Sequence, residues 1–218
     1  MNRVKLGILI SGSGSNLQSI IDNIEAGTLS AEIKIVISNV GDAYGLTRAK
    51  KHGLKTEVIR HENFTSREAF DARLVEVLKE NDVELVVLAG FMRVITSTFL
   101  QAFPNRIMNI HPALLPSFPG VHVWQKAIDY GVKFSGCTVH FVDQGTDTGP
   151  IIIQSVVPVL DDDDADTLAA RILRQEHKIY PRAIQLYAEG RLEIQGRIVK
   201  VHPKDRSLDS ESLTNPRL

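Results

Sequence analysis

Apolar positions come in short continuous runs separated by stretches of helical spacing, and this alternation repeats through the first half of the chain. Residues 4–10 form one run, and Leu17, Ile20, Ile21 and Ile24 then fall at i, i+3, i+4 and i+7, a helical stripe that Gly27 can stop. Residues 33–37 predict the next strand, 46–51 a short helix and 56–59 a further strand. Thr65 and Glu68 have capping-box spacing ahead of a helix whose apolar face is Phe70, Leu74, Val77 and Leu78. Strands at 86–88 and 106–110 complete this half. Strands that are apolar throughout are covered on both faces, so the expected class is α/β, a doubly wound, mostly parallel sheet with helices on both faces.

The second half reads differently. Residues 138–142 and 151–159 are strand-like, 167–188 form one long helical stretch, and 192–201 alternate around Gln195-Gly196-Arg197 as a hairpin does. No linker composition separates the halves, so residues 1–202 are read as a single domain with mixed sheet edges and the polar, aperiodic residues 203–218 as a flexible C-terminal tail.

Composition narrows the class of partner. The 218 residues hold 25 Lys plus Arg against 26 Asp plus Glu, a formal charge of −1 that implies no polyanion-binding surface and hence no nucleic acid. Cys137 is the single cysteine, which excludes an internal disulfide and suits a packed small residue. No apolar run approaches the roughly 20 residues that span a bilayer, and Met1 leads into a strand-like segment without an apolar leader core. The expectation is a cytoplasmic globular protein, monomer or homodimer, with small-molecule substrates and no membrane partner. The acidic run 161–164 with Asp166 directly precedes a helical pattern, where acidic groups favour the positive end of the helix dipole, so it is read as structural. The remaining histidines are too scattered to make a ligand set, and no metal is expected. Leu100 and Phe103 are expected in the core, and His140 as a structural histidine or a pocket wall.

Three segments carry candidate chemistry. In Asn109-Ile110-His111-Pro112 an apolar strand runs out into a loop with an amide and an imidazole two residues apart, on the same side of an extended backbone. Pro112 restricts His111 to extended conformations. In residues 11–16, Ser-Gly-Ser-Gly-Ser-Asn, two glycines let the backbone approach a ligand at a helix start, where N–H groups favour an anion such as phosphate. This is neither a dinucleotide fingerprint, since Leu17 stands where glycine is required, nor a Walker loop. The plain alternative is a strand-to-helix turn capped by Ser15 or Asn16. Residues 143–150 follow a strand and carry Asp143 and Asp147. If these loops meet at the carboxyl ends of the strands, Asp147 faces His111 and orients it for acid–base chemistry; taken alone, Asp147 reads as a turn aspartate supporting Gly149-Pro150.

These segments, with Leu88-Ala89-Gly90-Phe91-Met92-Arg93 and Leu114-Leu115-Pro116 followed by Gly120, resemble the phosphoribosylglycinamide formyltransferase family over roughly residues 4 to 202. The resemblance implies the formyltransferase fold and transfer of the formyl group of 10-formyltetrahydrofolate, a co-substrate, to the amine of glycinamide ribonucleotide in purine biosynthesis. By resemblance Asn109, His111 and Asp147 are the catalytic set, Gly14, Ser15 and Asn16 hold the nucleotide phosphate, and Glu176 binds the glycinamide end. Arg67, the segment Met92, Arg93, Val94 and Ile95, and Asn109 fall at folate-binding positions. Without the family, Arg67 reads as a solvated first-turn residue and Glu176 as a helix-surface charge. Ser13, Ala113 and Val123-Trp124, placed in the loop after Gly120, stand where members vary. The competing readings are a formyltetrahydrofolate hydrolase or transfer-RNA formyltransferase, which generally carry an extra domain, and a silent phosphate- or folate-binding module. A serine hydrolase built on Ser13 lacks Gly-x-Ser-x-Gly.

Overall fold

The computed structural model describes residues 3–202 and the backbone of residues 214–215. The chain divides into two compact units, Met1–Asn109 and Ile110–Leu218, and the division falls inside a strand rather than a linker.

In the first unit β1 (Val4–Ile10), α1 (Ser15–Glu25), β2 (Ala31–Ser38), α2 (Tyr44–Lys51), β3 (Thr56–Val58), α3 (Arg67–Glu80), β4 (Leu85–Leu88) and α4 (Ser97–Ala102) lead to β5 (Ile107–His111). The strands lie in the order β3-β2-β1-β4-β5, every pair parallel. Crossovers between parallel strands are right-handed, so α1 and α2, on the outward path from β1 to β3, cover one face. The chain then returns past β1 to β4 and β5, which puts α3 and α4 on the other. The packing of α1 on α2 and of α3 on α4 agrees. Leu6, Ile8, Leu9 and Ile10 are all fully buried, as a strand covered on both faces requires. Between β1 and β4 the direction of winding reverses, which opens a crevice at the carboxyl ends of these two strands.

The second unit contains α5 (Val123–Tyr130), β6 (Phe134–Phe141), β7 (Ile151–Pro158), α6 (Ala165–Ala188), β8 (Leu192–Gln195), β9 (Ile198–Val201) and β10 (Thr214–Asn215). Strands β6 and β7 are antiparallel, as are β8 with β9 and β10 with β7, whereas β7 meets β9 in parallel at Ile151 and Ile198. Helix α6 buries Leu168, Ile172, Ile179 and Ile184 and packs on β6 and β7. Its start is specified by a capping box: Asp164 accepts from the Thr167 N–H at 2.8 Å, and the Thr167 hydroxyl accepts from the Asp164 N–H at 2.9 Å.

Several expectations need correction. The cap of α3 is Ser66, whose hydroxyl accepts from the Ala69 N–H at 3.1 Å, and not Thr65 with Glu68. Phe99 and Phe103 are buried in and after α4, but Leu100, one position round the helix, is half-exposed. Val123 and Trp124 belong to the first turn of α5, not to a loop. His111 is the last residue of β5 itself, so the amide and imidazole are set by a strand rather than by the loop after it. The expected tail, residues 203–218, lies outside the described residues apart from β10. The acidic run keeps its structural reading: Asp164 caps α6 and Asp163 pairs with Arg171 at 2.7 Å.

Candidate active site

In the first unit, residues 11–16 leave β1 and enter α1, and they line a cavity of about 160 Å³ with Ala89, Gly90 and Met92 from the end of β4. This is the crevice that the reversal of strand order opens. The volume is below the roughly 300–1,000 Å³ of sites that engulf a drug-sized ligand. Gly14 is the N-cap of α1, with φ +67, and it supplies no side-chain cap. The alternative in which Ser15 or Asn16 caps the turn is therefore not realised, and the helix start faces the cavity with backbone donors. Glycine at 14 is required twice over: its φ lies in the left-handed region, and a Cβ there would come 2.5 Å from the Gly45 Cα. The Ser11 hydroxyl joins the two walls, accepting from the Met92 N–H at 2.8 Å and donating to Asn39 Oδ1 at 2.6 Å.

Of the expected folate residues, Met92 lies on this cavity and is 73% exposed. Val94 is exposed and Ile95 buried, so the segment offers apolar surface on one side and anchors itself on the other. The Arg93 guanidinium sits 5.2 Å from the centroid of the Phe70 ring, which also stacks near Phe91. Arg67 is exposed one turn before Phe70, at the first position of α3. Asn109, half-buried, is the third residue of β5.

In the second unit His111 is 4% exposed, and its Nδ1 lies 3.3 Å from Asp147 Oδ2. Its Nε2 lies 2.8 Å from the Phe118 carbonyl oxygen. Both ring nitrogens thus face oxygens. Asp147 Oδ2 also accepts from the Gly120 N–H at 2.9 Å. Asp147 has φ +55, so the loop holds its carboxylate through a backbone conformation that few side chains tolerate. A second imidazole, His140, stands 3.8 Å from Asp147 Oδ1 and bonds the Phe141 carbonyl through Nδ1 at 2.9 Å. Burial holds His140 below the ordinary imidazole range, although the Phe141 carbonyl and Asp147 both pull it upward. His140 thus stands beside Asp147 and is less readily protonated than a free imidazole. Glu176 is only 6% exposed on α6, which excludes the helix-surface alternative. Burial, and then the charge of Glu176, push the Cys137 thiol up, so that it is a packed thiol and no nucleophile.

The structure brings Gly14, Ser15, Asn16 and Met92 to one cavity and His111 and Asp147 to one another. Sequence reasoning missed the Phe118 carbonyl and the Gly120 N–H as partners of that pair, and read His140 first as a structural histidine. Gly120, with φ +84, was visible as a glycine in a motif, but a carbonyl as a partner leaves no trace in side-chain identity. Among the described residues no group of three or more His, Cys, Asp or Glu could hold a metal ion, and no helix is long and apolar enough to cross a membrane.

The first unit thus carries a cavity at a strand-order reversal, and the second a buried imidazole beside an aspartate. Residues 4–184 match the formyl transferase family, and the chain belongs to it. Within that family it is 41% identical over 206 residues to the phosphoribosylglycinamide formyltransferase of Escherichia coli strain K12, covering 94% of each chain. It is 48% identical over 205 residues to the trifunctional purine biosynthetic protein adenosine-3 of Drosophila pseudoobscura pseudoobscura, spanning 93% of this chain but only 15% of that much longer protein. The crystal structure of glycinamide ribonucleotide transformylase 1 from Symbiobacterium toebii superposes with a TM-score of 0.91 at 51% identity, covering 92% of this chain and 94% of that one.

Proposed function

We propose that this chain transfers the formyl group of 10-formyltetrahydrofolate to the amine of glycinamide ribonucleotide, giving the N-formyl product and tetrahydrofolate, a step of purine biosynthesis. The observation that carries the reading is the buried pair His111 and Asp147, and its support is the match along most of a formyltransferase of the same length. Attack of the neutral amine nitrogen on the formyl carbon forms one C–N bond and builds an oxyanion and an ammonium. Collapse of that intermediate breaks the bond to the folate nitrogen, which receives the proton the amine loses. Asn109 and His111 are the donors to the oxyanion. In the present geometry His111 Nε2 is engaged by the Phe118 carbonyl, so the substrate oxygen replaces that carbonyl during turnover. Asp147 orients the ring and, through water, relays the proton. Gly14, Ser15 and Asn16 hold the phosphate, Glu176 the glycinamide amine, and Arg67, Met92, Arg93, Val94 and Ile95 the folate. The protein acts in the cytoplasm as a single catalytic domain over residues 1–202.

The test is turnover with both substrates, followed by the absorbance of deformylated folate, beside a reaction lacking the nucleotide. Product that depends on the nucleotide is expected. Product without it would overturn the transferase reading in favour of a hydrolase, and none in either would leave a binding module.

A further inference from the structure

None of the nine residues that line the first unit's cavity carries a charge, although the reading above places a phosphate there. Backbone N–H groups and serine hydroxyls can bond a phosphate, but withdrawing a dianion from water without a nearby cation is costly. The cation nearest to this turn in the bonding pattern is Arg48, on the last turn of α2. Its Nε donates to the Ser13 carbonyl at 2.9 Å, its Nη1 lies 3.4 Å from Gln18 Oε1, and its guanidinium stands 4.9 Å from the centre of the Tyr44 ring. Among the described residues its other N–H groups make no further bond. The same helix closes on the turn by its backbone, since the Gly45 N–H donates to the Gly12 carbonyl at 3.0 Å. The Arg48 stem also passes Gly14, where an added Cβ would sit 3.7 Å from Cδ.

Resting on the proposed reaction, we propose that Arg48 is a positioning residue for the phosphate of the nucleotide substrate. By engaging the Ser13 carbonyl it turns that oxygen away from the anion, so that the N–H groups of the turn face the cavity. Its charge, held behind the turn by Tyr44 and Gln18, favours the doubly ionised phosphate. It does not touch the reacting atoms, so its removal affects nucleotide binding and not the chemical step.

The test compares wild type with Arg48→Met and Arg48→Gln, which remove the charge, and Arg48→Lys, which keeps it. In steady-state turnover KM for the nucleotide should rise about tenfold or more in the uncharged variants, the weight of one charge-assisted interaction. The kcat and the KM for the folate should stay within about twofold. Calorimetric titration with ribose 5-phosphate supplies a readout that does not need formyl transfer. Wild type and Arg48→Lys should bind more tightly as pH rises through about 6, where the phosphate takes its second charge, and the uncharged variants should show a clearly weaker dependence. An uncharged variant that folds and keeps both wild-type KM and wild-type pH dependence overturns the proposal. If Arg48→Met fails to fold, Arg48→Gln, which retains the stem length and a donor, carries the comparison. Wild type that binds ribose 5-phosphate but transfers no formyl group would overturn the reaction while leaving the role of Arg48 standing.

Discussion

In the proposed reaction His111 and Asp147 divide two tasks between them, and separate substitutions resolve the two. Removing one oxyanion donor typically lowers turnover by about 10²–10³-fold, so His111→Ala should lose at least that much kcat. Asp147→Asn should lose a comparable amount, because the amide keeps the shape but neither the charge nor the proton relay. Asparagine is among the few residues that accept the left-handed region, so the φ of +55 at this position is preserved and the loop should stay in place. Near-normal turnover in either variant, with an unchanged melting curve, would refute these roles. Gly14→Ala fails for a different reason: the methyl group enters the space of the Gly45 Cα, and the left-handed backbone strains. We expect its nucleotide KM to rise steeply while the folate KM holds. Substituting Gly27, which has a similar φ but open space around it, should leave the nucleotide KM where it was.

Elements differ in how much of themselves they write into the sequence. Strands β1 and β4 and the helix faces of α1 and α3 were legible because burial imposes a period, continuous in one case and 3.6 in the other. Helix α4, at six residues, is shorter than two turns and offers no period to read. Helix α5 follows His122, whose φ of +58 gives it no ordinary cap, and so its start carried no signal. The Asn109 and His111 pair was legible from its i, i+2 spacing. The carbonyl and amide groups that hold His111 and Asp147 were not, because any residue supplies them. Helix α6 was announced by its acidic run, and its chemistry can be tested. The Arg171 guanidinium and the Leu160 N–H hold the Asp163 carboxyl well below the usual carboxylate range. A carboxyl lowered in the folded state stabilises it above its unfolded value of about 3.9, and that contribution is lost as pH falls below it. Asp163→Asn should therefore melt below wild type at neutral pH, with the gap closing in acid. A gap that persists unchanged down to pH ~2 would show that the pair contributes through something other than the charge of Asp163.

At the scale of the whole molecule, the boundary between the two compact units passes through β5, between Asn109 and Ile110. A strand of five residues cannot be half-folded without losing its ladder, so neither unit ends in a free linker that would let it melt alone. One cooperative unfolding transition is expected in calorimetry, with the calorimetric and van't Hoff enthalpies equal. Under the proposed function the nucleotide binds the native state, and at a hundred times its dissociation constant it should add about 2.7 kcal/mol of stability. For a chain of this size each kcal/mol moves the midpoint by roughly 2–4 °C, so saturation should raise it by about 5–11 °C. If the units fold as one, the whole transition moves, although the cavity proposed to hold the phosphate lies in the first unit alone. In Gly14→Ala the shift should vanish. Two transitions, of which only one responds to the nucleotide, would show instead that β5 is a hinge between separately folding units and that residues 1–202 are not a single domain.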